Sequence, residues 1–509
     1  MITRTRIKKW LLLTHRYLGV AGCVLFLIWF LSGFAMMYVE MPYLLRTDSR
    51  LDGFESLEAS IPLLEPAAAL TEAGIEQPPR RLFLTMQDGT PVWRALPQRG
   101  PMVTLAADTG NILGPWSPDA ALRSAQSWGG WDGDLEYERT VDLDQWTLYS
   151  NLFAQHRPLH RFRVDGPRGA LVHVSETTGM VVQITTRRER LLAWIGPIVH
   201  WIYPTIVRKH GNLWTNLVVS LSALGVVLVV AGTVLGFWNL RRSSSKNGIS
   251  PYTQRWMRWH HLFGVSFSVV TLSWIFSGMM SMNPLEWAPD TGATAQEVAW
   301  LAGGELDWSA FHVGADDALA SFAGLEVKEL EARFFAGRPY WVAWETPKRS
   351  LVLAADVADA VPSAEFPGSM LRSTTAGLVP GASLIEWTRL EDYDNYYYSK
   401  KSFRYRKRLP IYRARFDDSQ KTSYYIDPHS GAVVQRMEPL SRLSRYLYQG
   451  LHSWDILGFF NRRPWWDLIL GFFMIGGAFG ALTSVAIGLK WSQRWWSRRR
   501  RTGKAGSHG

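Results

Sequence analysis

The sequence predicts an integral membrane protein of four transmembrane α-helices with two α+β domains on one side, built as a tandem parallel duplication of the unit helix, outer domain, helix. Three observations carry this expectation. Four apolar stretches, near Trp10 to Val39, Leu213 to Leu240, Phe263 to Met282 and Leu468 to Leu489, each reach the ~20 residues that cross a bilayer core. Basic residues gather in short segments beside the ends of those stretches. The chain also repeats itself at an offset of about 250 residues, histidines included.

The first span is expected at 10–39, the second at 213–240, the third at 259–283 and the fourth at 468–490. Arg4, Arg6, Lys8 and Lys9 precede the first, Arg241, Arg242, Lys246, Arg255 and Arg258 lie around the short middle loop, and Arg494 with Arg498 to Arg501 follows the fourth. Short basic segments stay on the cytoplasmic side, so both termini and the middle loop are expected there and the long segments 40–195 and 284–450 outside. Segments 196–212 and 451–467 then lie at the outer membrane surface. The net charge of +11 is read as this topology signal and not as a nucleic-acid footprint. A basic start followed by an apolar core also describes a signal peptide, but the twin of the first span is internal, so both are read as retained helices. Trp10, Trp201, Trp238, Trp256, Trp287, Trp465 and Trp491 fall near span ends, as an interfacial belt at the lipid bilayer does. With Cys23 the one cysteine, no intramolecular disulfide or thiolate cluster can form, and any metal must be held by His, Met or carboxylates.

The outer segments alternate short β-rich runs with turn residues. Phe83 to Met86, Val103 to Ala106, Ala170 to Val174 and Val181 to Thr185 are expected strands of the first; Tyr340 to Trp344, Ser350 to Ala354, Ser423 to Ile426 and Ala432 to Gln435 of the second. Asp88-Gly89, Thr178-Gly179 and Ser430-Gly431 supply turns, and Pro62 to Gly74 and Gln296 to Ala302 suit helices. Small antiparallel sheets in each outer domain follow.

The duplication is read from matched residues. Thr14-His15-Arg16-Tyr17-Leu18-Gly19 through Trp29, Ser32 and Gly33 reappears as Trp259-His260-His261-Leu262-Phe263-Gly264 through Trp274, Ser277 and Gly278. Thus His15 overlays His260, and further on His200 overlays His452 and Trp214 overlays Trp466. The strand-turn-strand Tyr424-Tyr425-Ile426-Asp427-Pro428-His429-Ser430-Gly431-Ala432-Val433 resembles a PepSY domain, and the spans resemble the PepSY-associated transmembrane helix family. That resemblance implies a multi-pass protein of the bacterial inner membrane with periplasmic domains. It further implies similarity to haem-binding reductases that act on ferric siderophores in iron uptake. No Gly-rich nucleotide-binding unit occurs, so a separate electron donor, a quinol or a cytoplasmic flavin reductase, is implied.

Topology restricts how the histidines can act. His15 and His260 both lie at cytoplasmic span ends and His200 and His452 at outer ends, so a site within one copy would have ligands on opposite sides of a ~30 Å core. Each pair must bridge the copies, near the pseudo-two-fold axis that parallel repeats imply. Two facing imidazoles are the axial set of a b-type haem, one or two of them in this chain. No Cys-x-x-Cys-His motif allows covalent attachment. His261 rivals His260, because adjacent helix positions differ by about 100° and cannot face one iron together. Gly19, Gly22 and Gly264 either admit a flat macrocycle or only close helix packing; Trp29 and Trp274 either bridge two haems or simply pack. His156, His160, His173 and His312 read as histidines of the outer domains, the first two with a second reading as substrate contacts. Between Tyr393 and Arg415 aromatics and bases crowd together, and Tyr397, Arg404 and Arg406 are candidate contacts for a ferric siderophore, the other reading being a solvated hairpin.

The expected function is a haem-containing reductase moving electrons to periplasmic ferric siderophore and releasing Fe(II). The alternative is a non-enzymatic PepSY-type binding or regulatory protein, or a siderophore permease component, in which the histidines are structural.

Overall fold

A computed structural model of the chain describes residues 4–58, 62–240, 249–304, 306–399, 407–456 and 458–505. Arg241, Arg242 and Lys246 of the basic middle segment, the candidate contacts Arg404 and Arg406, and His508 lie outside the described residues. The chain divides into two compact units, one helical, from residues 1–41, 191–288 and 443–509, and one stranded, from residues 42–190 and 289–442.

The helical unit is built on α1 (Arg4–Met36), α2 (Gly211–Leu240), α3 (Arg255–Met280) and α4 (Trp465–Ala505). All four are long and apolar enough to cross a membrane. They are apolar around most of their circumference, and Val24, Leu31, Leu224, Val269 and Phe472 stay exposed on their outer sides, a pattern suited to lipid and not to water. α1 packs against α2 and α4, and α3 against the same two, so α1 and α3 occupy opposite corners. Glycine sets the approach of α4: a Cβ at Gly476 would lie 2.2 Å from the Phe267 ring and one at Gly477 2.2 Å from Phe30. The helices outrun the apolar stretches, α1 beginning at Arg4 and α4 continuing through the basic tail, because Arg and Lys are good helix formers and cations suit a helix C-terminus. Short helices Pro197–His200 and Leu451–Ser453 precede α2 and α4, the second entered through a π-helical turn at Tyr446–Gly450.

In the stranded unit the strands are β1 (Arg81–Gln87), β2 (Thr90–Leu96), β3 (Val103–Ala106), β4 (Ile112–Leu113), β5 (Asp134–Val141), β6 (Leu159–Asp165), β7 (Leu171–Ser175) and β8 (Val181–Thr185) from the first segment. The second contributes β9 (Glu329–Phe335), β10 (Arg338–Thr346), β11 (Arg349–Ala354), β12 (Leu384–Leu390), β13 (Ile411–Phe416), β14 (Ser423–Ile426) and β15 (Val433–Met437). Two four-stranded sheets, β5-β6-β7-β8 and β12-β13-β14-β15, each belong to one segment. The third sheet does not: its order is β11-β10-β9-β1-β2-β3-β4, so the segments read from sequence as separate domains share seven strands. β1 and β9 run antiparallel through Leu82↔Ala332, Phe83↔Glu331 and Leu84↔Leu330. Both hairpins flanking this junction turn on two residues of positive φ, Asp88-Gly89 and Ala336-Gly337, the backbone that lets a two-residue turn follow strand twist. Trp93 and Trp341, fully buried, stack with centroids 6.1 Å apart, and their indoles donate to Leu64 O (3.0 Å) and Val313 O (2.8 Å).

β9 escapes a hydrophobicity reading because Glu329, Glu331 and Arg333 interrupt it. Glu329 and Glu331 are nonetheless buried, Glu329 bonded to Arg50 (3.2 Å) and Arg81, and Glu331 to Arg81 (2.9 Å). Burial alone would push Glu329 up; the charges and hydrogen bonds of Arg50 and Arg81 hold it down at about 2.

Candidate functional site

Four histidines form two pairs, both inside the helical unit. His15 on α1 and His260 on α3 come together from opposite corners, with ring centroids 6.0 Å apart. His200 and His452, at the ends of the short helices before α2 and α4, have centroids 6.1 Å apart.

Hydrogen-bond accounting fixes which nitrogen of each ring carries the proton. His15 Nδ1 lies 3.1 Å from Leu228 O, and a carbonyl only accepts, so Nδ1 donates. His200 Nδ1 lies 3.0 Å from Ser32 Oγ, whose own proton goes to Ile28 O at 2.6 Å, so here too Nδ1 donates. His260 Nδ1 faces Thr483 Oγ1 (3.3 Å) and Ser484 Oγ (3.1 Å), both of which donate to Gly480 O. His452 Nδ1 reaches Ser277 Oγ (3.1 Å) and Trp274 O (3.2 Å), while Ser277 gives its proton to Trp274 O. In all four rings the Nδ1 proton is held by the surrounding helices, which places the lone pair on Nε2. An anchored Nδ1–H is the arrangement that orients metal-binding imidazoles and raises their basicity.

Each ring is anchored close to home, His15 by α2 and His260 by α4, while its partner ring comes from the other half of the chain. Glycines leave room for three of them. A Cβ at Gly232 would sit 2.5 Å from His15 Cε1, one at Gly33 3.3 Å from His200 Cε1, and one at Gly278 3.4 Å from His452 Cε1. One turn along α3 from His260, a Cβ at Gly264 would meet nothing within 4 Å.

The donor set can be tested against two metal chemistries, zinc and haem. Two imidazoles on one metal ion, each bonded at about 2 Å, place their centroids roughly 6 Å apart, which both pairs match. Among the described residues no group of three or more His, Cys, Asp or Glu side chains is assembled. A zinc site takes four protein ligands, or three and water, whereas a macrocycle that brings its own equatorial nitrogens asks only for two axial ones. The donor set at both pairs is therefore that of two axial ligands and not of a zinc site.

The remaining candidates take other places. His261 is buried with both nitrogens committed, Nδ1 to Ser250 Oγ (3.0 Å) and Nε2 to Gly236 O (3.1 Å), against the Tyr252 ring; it pins the loop after α2 and leaves His260 as the ring that faces His15. Trp29 and Trp274 both belong to the outer pair: Trp29 Nε1 donates to His200 O (3.0 Å) and Trp274 O accepts from His452, and about 20 Å of α1 separates Trp29 from His15. Gly19 and Gly22 make ordinary contact with Leu228, 3.7 Å and 3.9 Å from where a Cβ would stand. Tyr397 is buried, stacked on Tyr425 at 5.4 Å with its hydroxyl donating to Arg408 O (2.8 Å), so its ring is packing and not a surface contact. His156 and His160 are buried as well, His160 between Thr140 Oγ1 (2.8 Å) and Trp116 O (2.7 Å), and His173 bonds Asp144 (2.8 Å).

Sequence reasoning did not single out the groups that hold the rings. Ser32, Gly33, Ser277 and Gly278 were visible as matched positions, and their recurrence beside matched histidines was the available signal. Gly232, Thr483 and Ser484 gave none, since His15 is held by a carbonyl of α2 and His260 by hydroxyls of α4. The chain matches no protein-family model and no curated protein.

Proposed function

We propose that the chain is a haem-containing reductase of the bacterial inner membrane that moves electrons to a periplasmic ferric siderophore, and that it is a PepSY-like tandem duplication with both termini cytoplasmic. The observation that carries this reading is the set of two imidazole pairs, each ring anchored through Nδ1, at two levels of one apolar helical unit. His15 and His260 would hold an inner haem, His200 and His452 an outer one. Haem iron, when bound, supplies a one-electron carrier whose potential follows its axial ligands and their hydrogen bonds.

The chain's own residues do the rest. Leu228, Ser32, Ser277, Thr483 and Ser484 keep each Nε2 lone pair presented, and the apolar helices exclude water from both pairs. Support for duplication comes from recurring contacts: Ser32 holds His200 as Ser277 holds His452, and Trp214 Nε1 donates to Trp201 O (2.9 Å) as Trp466 Nε1 does to Ser453 O (2.8 Å). Ferrous iron is bound far more weakly than ferric iron by oxygen-rich chelators, so one-electron reduction is itself the release step.

An absorption spectrum tests the proposal. Protein purified from haem-replete cells is expected to show a Soret band that shifts on dithionite reduction, with two haems per chain. His15→Ala and His200→Ala should each remove one haem and together both; a colourless wild-type protein would overturn the reading.

A further inference from the structure

Trp214 and Trp466, matched between the two halves, each carry an arginine on the face of their ring, and the two cradles are built alike. Arg208, the last residue of the short helix Thr205–Arg208 before α2, lies 4.5 Å from the centre of the Trp214 ring and 5.1 Å from that of Tyr203, two rings that meet edge to face. Arg463, just before α4, lies 4.4 Å from the Trp466 ring and 5.6 Å from that of Phe460, again an edge-to-face pair. Ring faces attract a cation but give its five N–H donors no oxygen to bond.

The cradles differ in what answers the charge. Arg463 bonds the carboxylate of Asp467, which also accepts from Tyr38 (2.9 Å). Thr215 stands at the matched position of the first half, and among the described residues no carboxylate, carbonyl or hydroxyl meets the Arg208 guanidinium. Its Nε is buried without a partner; its two terminal nitrogens are not buried, so the open fork of this half-buried arginine faces outward. On either side of it in sequence hydrocarbon is also open to the outside, Ile206 being 76% and Leu213 61% exposed.

A free anion would satisfy the guanidinium and leave those apolar side chains bare. A phosphodiester on acyl chains answers both, since a planar guanidinium takes two phosphate oxygens at once, and it belongs where a helix long and apolar enough to cross a membrane begins. We propose that Arg208 binds the phosphate of a membrane phospholipid, and that the first half alone carries such a site because Asp467 fills the equivalent place in the second. Through Trp214, whose Nε1 donates to Trp201 O (2.9 Å), the lipid braces the segment that carries His200. The site needs no haem and stands apart from the reductase reading.

The test is native mass spectrometry of the full chain, purified in detergent from haem-starved cells and titrated with dioleoyl-phosphatidylglycerol. One lipid per chain is expected to bind in a saturable step, weakened at least about tenfold by Arg208→Gln and about threefold by Arg208→Lys, which keeps the charge but loses the fork. Asp467→Asn, which frees Arg463, should add a second lipid. Dioleoylglycerol, with the same tails and no phosphate, and inorganic phosphate, with no tails, should both bind far more weakly. Size-exclusion profiles show whether Arg208→Gln is folded; should it not be, Arg208→Lys and the two truncated probes decide. Equal affinity in the Arg208 variants, equal affinity for either truncated probe, or no second lipid in Asp467→Asn would overturn the proposal. Displacement of the lipid by added haem would overturn it too, and assign Arg208 to a haem propionate.

Discussion

At the scale of single residues, the smallest side chains decide the inner pair. The His15 ring occupies the space a Cβ at position 232 would need, 2.5 Å away, and helix α2 cannot withdraw there without losing its packing on α1. Gly232→Ala is expected to lower haem content from two to about one per chain, read by pyridine haemochrome assay, whereas Gly19→Ala should leave it unchanged. The outer pair is held twice over. Ser277→Ala leaves His452 Nδ1 its second acceptor, Trp274 O, and Ser32→Ala likewise leaves the His200 ring the Trp29 carbonyl. Ser32→Ala and Ser277→Ala should therefore weaken haem retention alike, and by less than the about 10–100-fold that follows loss of a ring's sole anchor, as seen by transfer of haem to apomyoglobin. The histidines themselves were legible in sequence because they recur at matched positions in the two halves. Gly232 and Ser484 were not, since a glycine that makes room and a serine that holds a ring are different residues, and matching the two halves of the sequence hides both.

At the scale of elements, the β1–β9 junction carries the stranded unit. The two hairpins flanking it, β1–β2 and β9–β10, meet through the stacked, fully buried Trp93 and Trp341. Replacing either by Ala should cost about 3–5 kcal/mol of stability. The double variant should lose less than the sum, because the first substitution already removes the stacking partner; urea unfolding of the single and double variants measures both. Strands with alternating or continuous apolar residues, such as β8 and β14, were readable. β9 and β6 were not, because charges in them, the buried Glu329 and Glu331 and the half-buried Arg161, are neutralised by partners in other elements that periodicity cannot show.

At the scale of the whole molecule, four apolar stretches and their flanking charges made the helical unit legible, while the joining of both outer segments in one sheet was invisible to any local pattern. The stranded unit should also be acid-sensitive. Burial, reinforced by the nearby Arg94 charge, pushes His156 down to about 3. Between its unfolded value near 6.5 and that point, the unfolded chain binds a proton that the folded chain refuses, so stability is full above this window and falls as pH drops through it. Glu329, held at about 2, adds a further loss below its unfolded value of 4.5. His156→Gln should flatten the dependence of unfolding free energy on pH between 6 and 4 by about 1.4 kcal/mol per pH unit; an unchanged slope would count against a neutral, buried imidazole.

The three-rung pairing of β1 with β9 also sets a schedule for biosynthesis. Leu82, Phe83 and Leu84 leave the ribosome about 250 residues before the strand that covers them, a delay of roughly ten to fifty seconds at 5–20 residues per second. During that interval the nascent first half carries an apolar strand paired with β2 along one edge and open along the other. A chaperone that guards emerging chains, or a brake on translation, should matter more to this protein than to one whose sheet closes within each half.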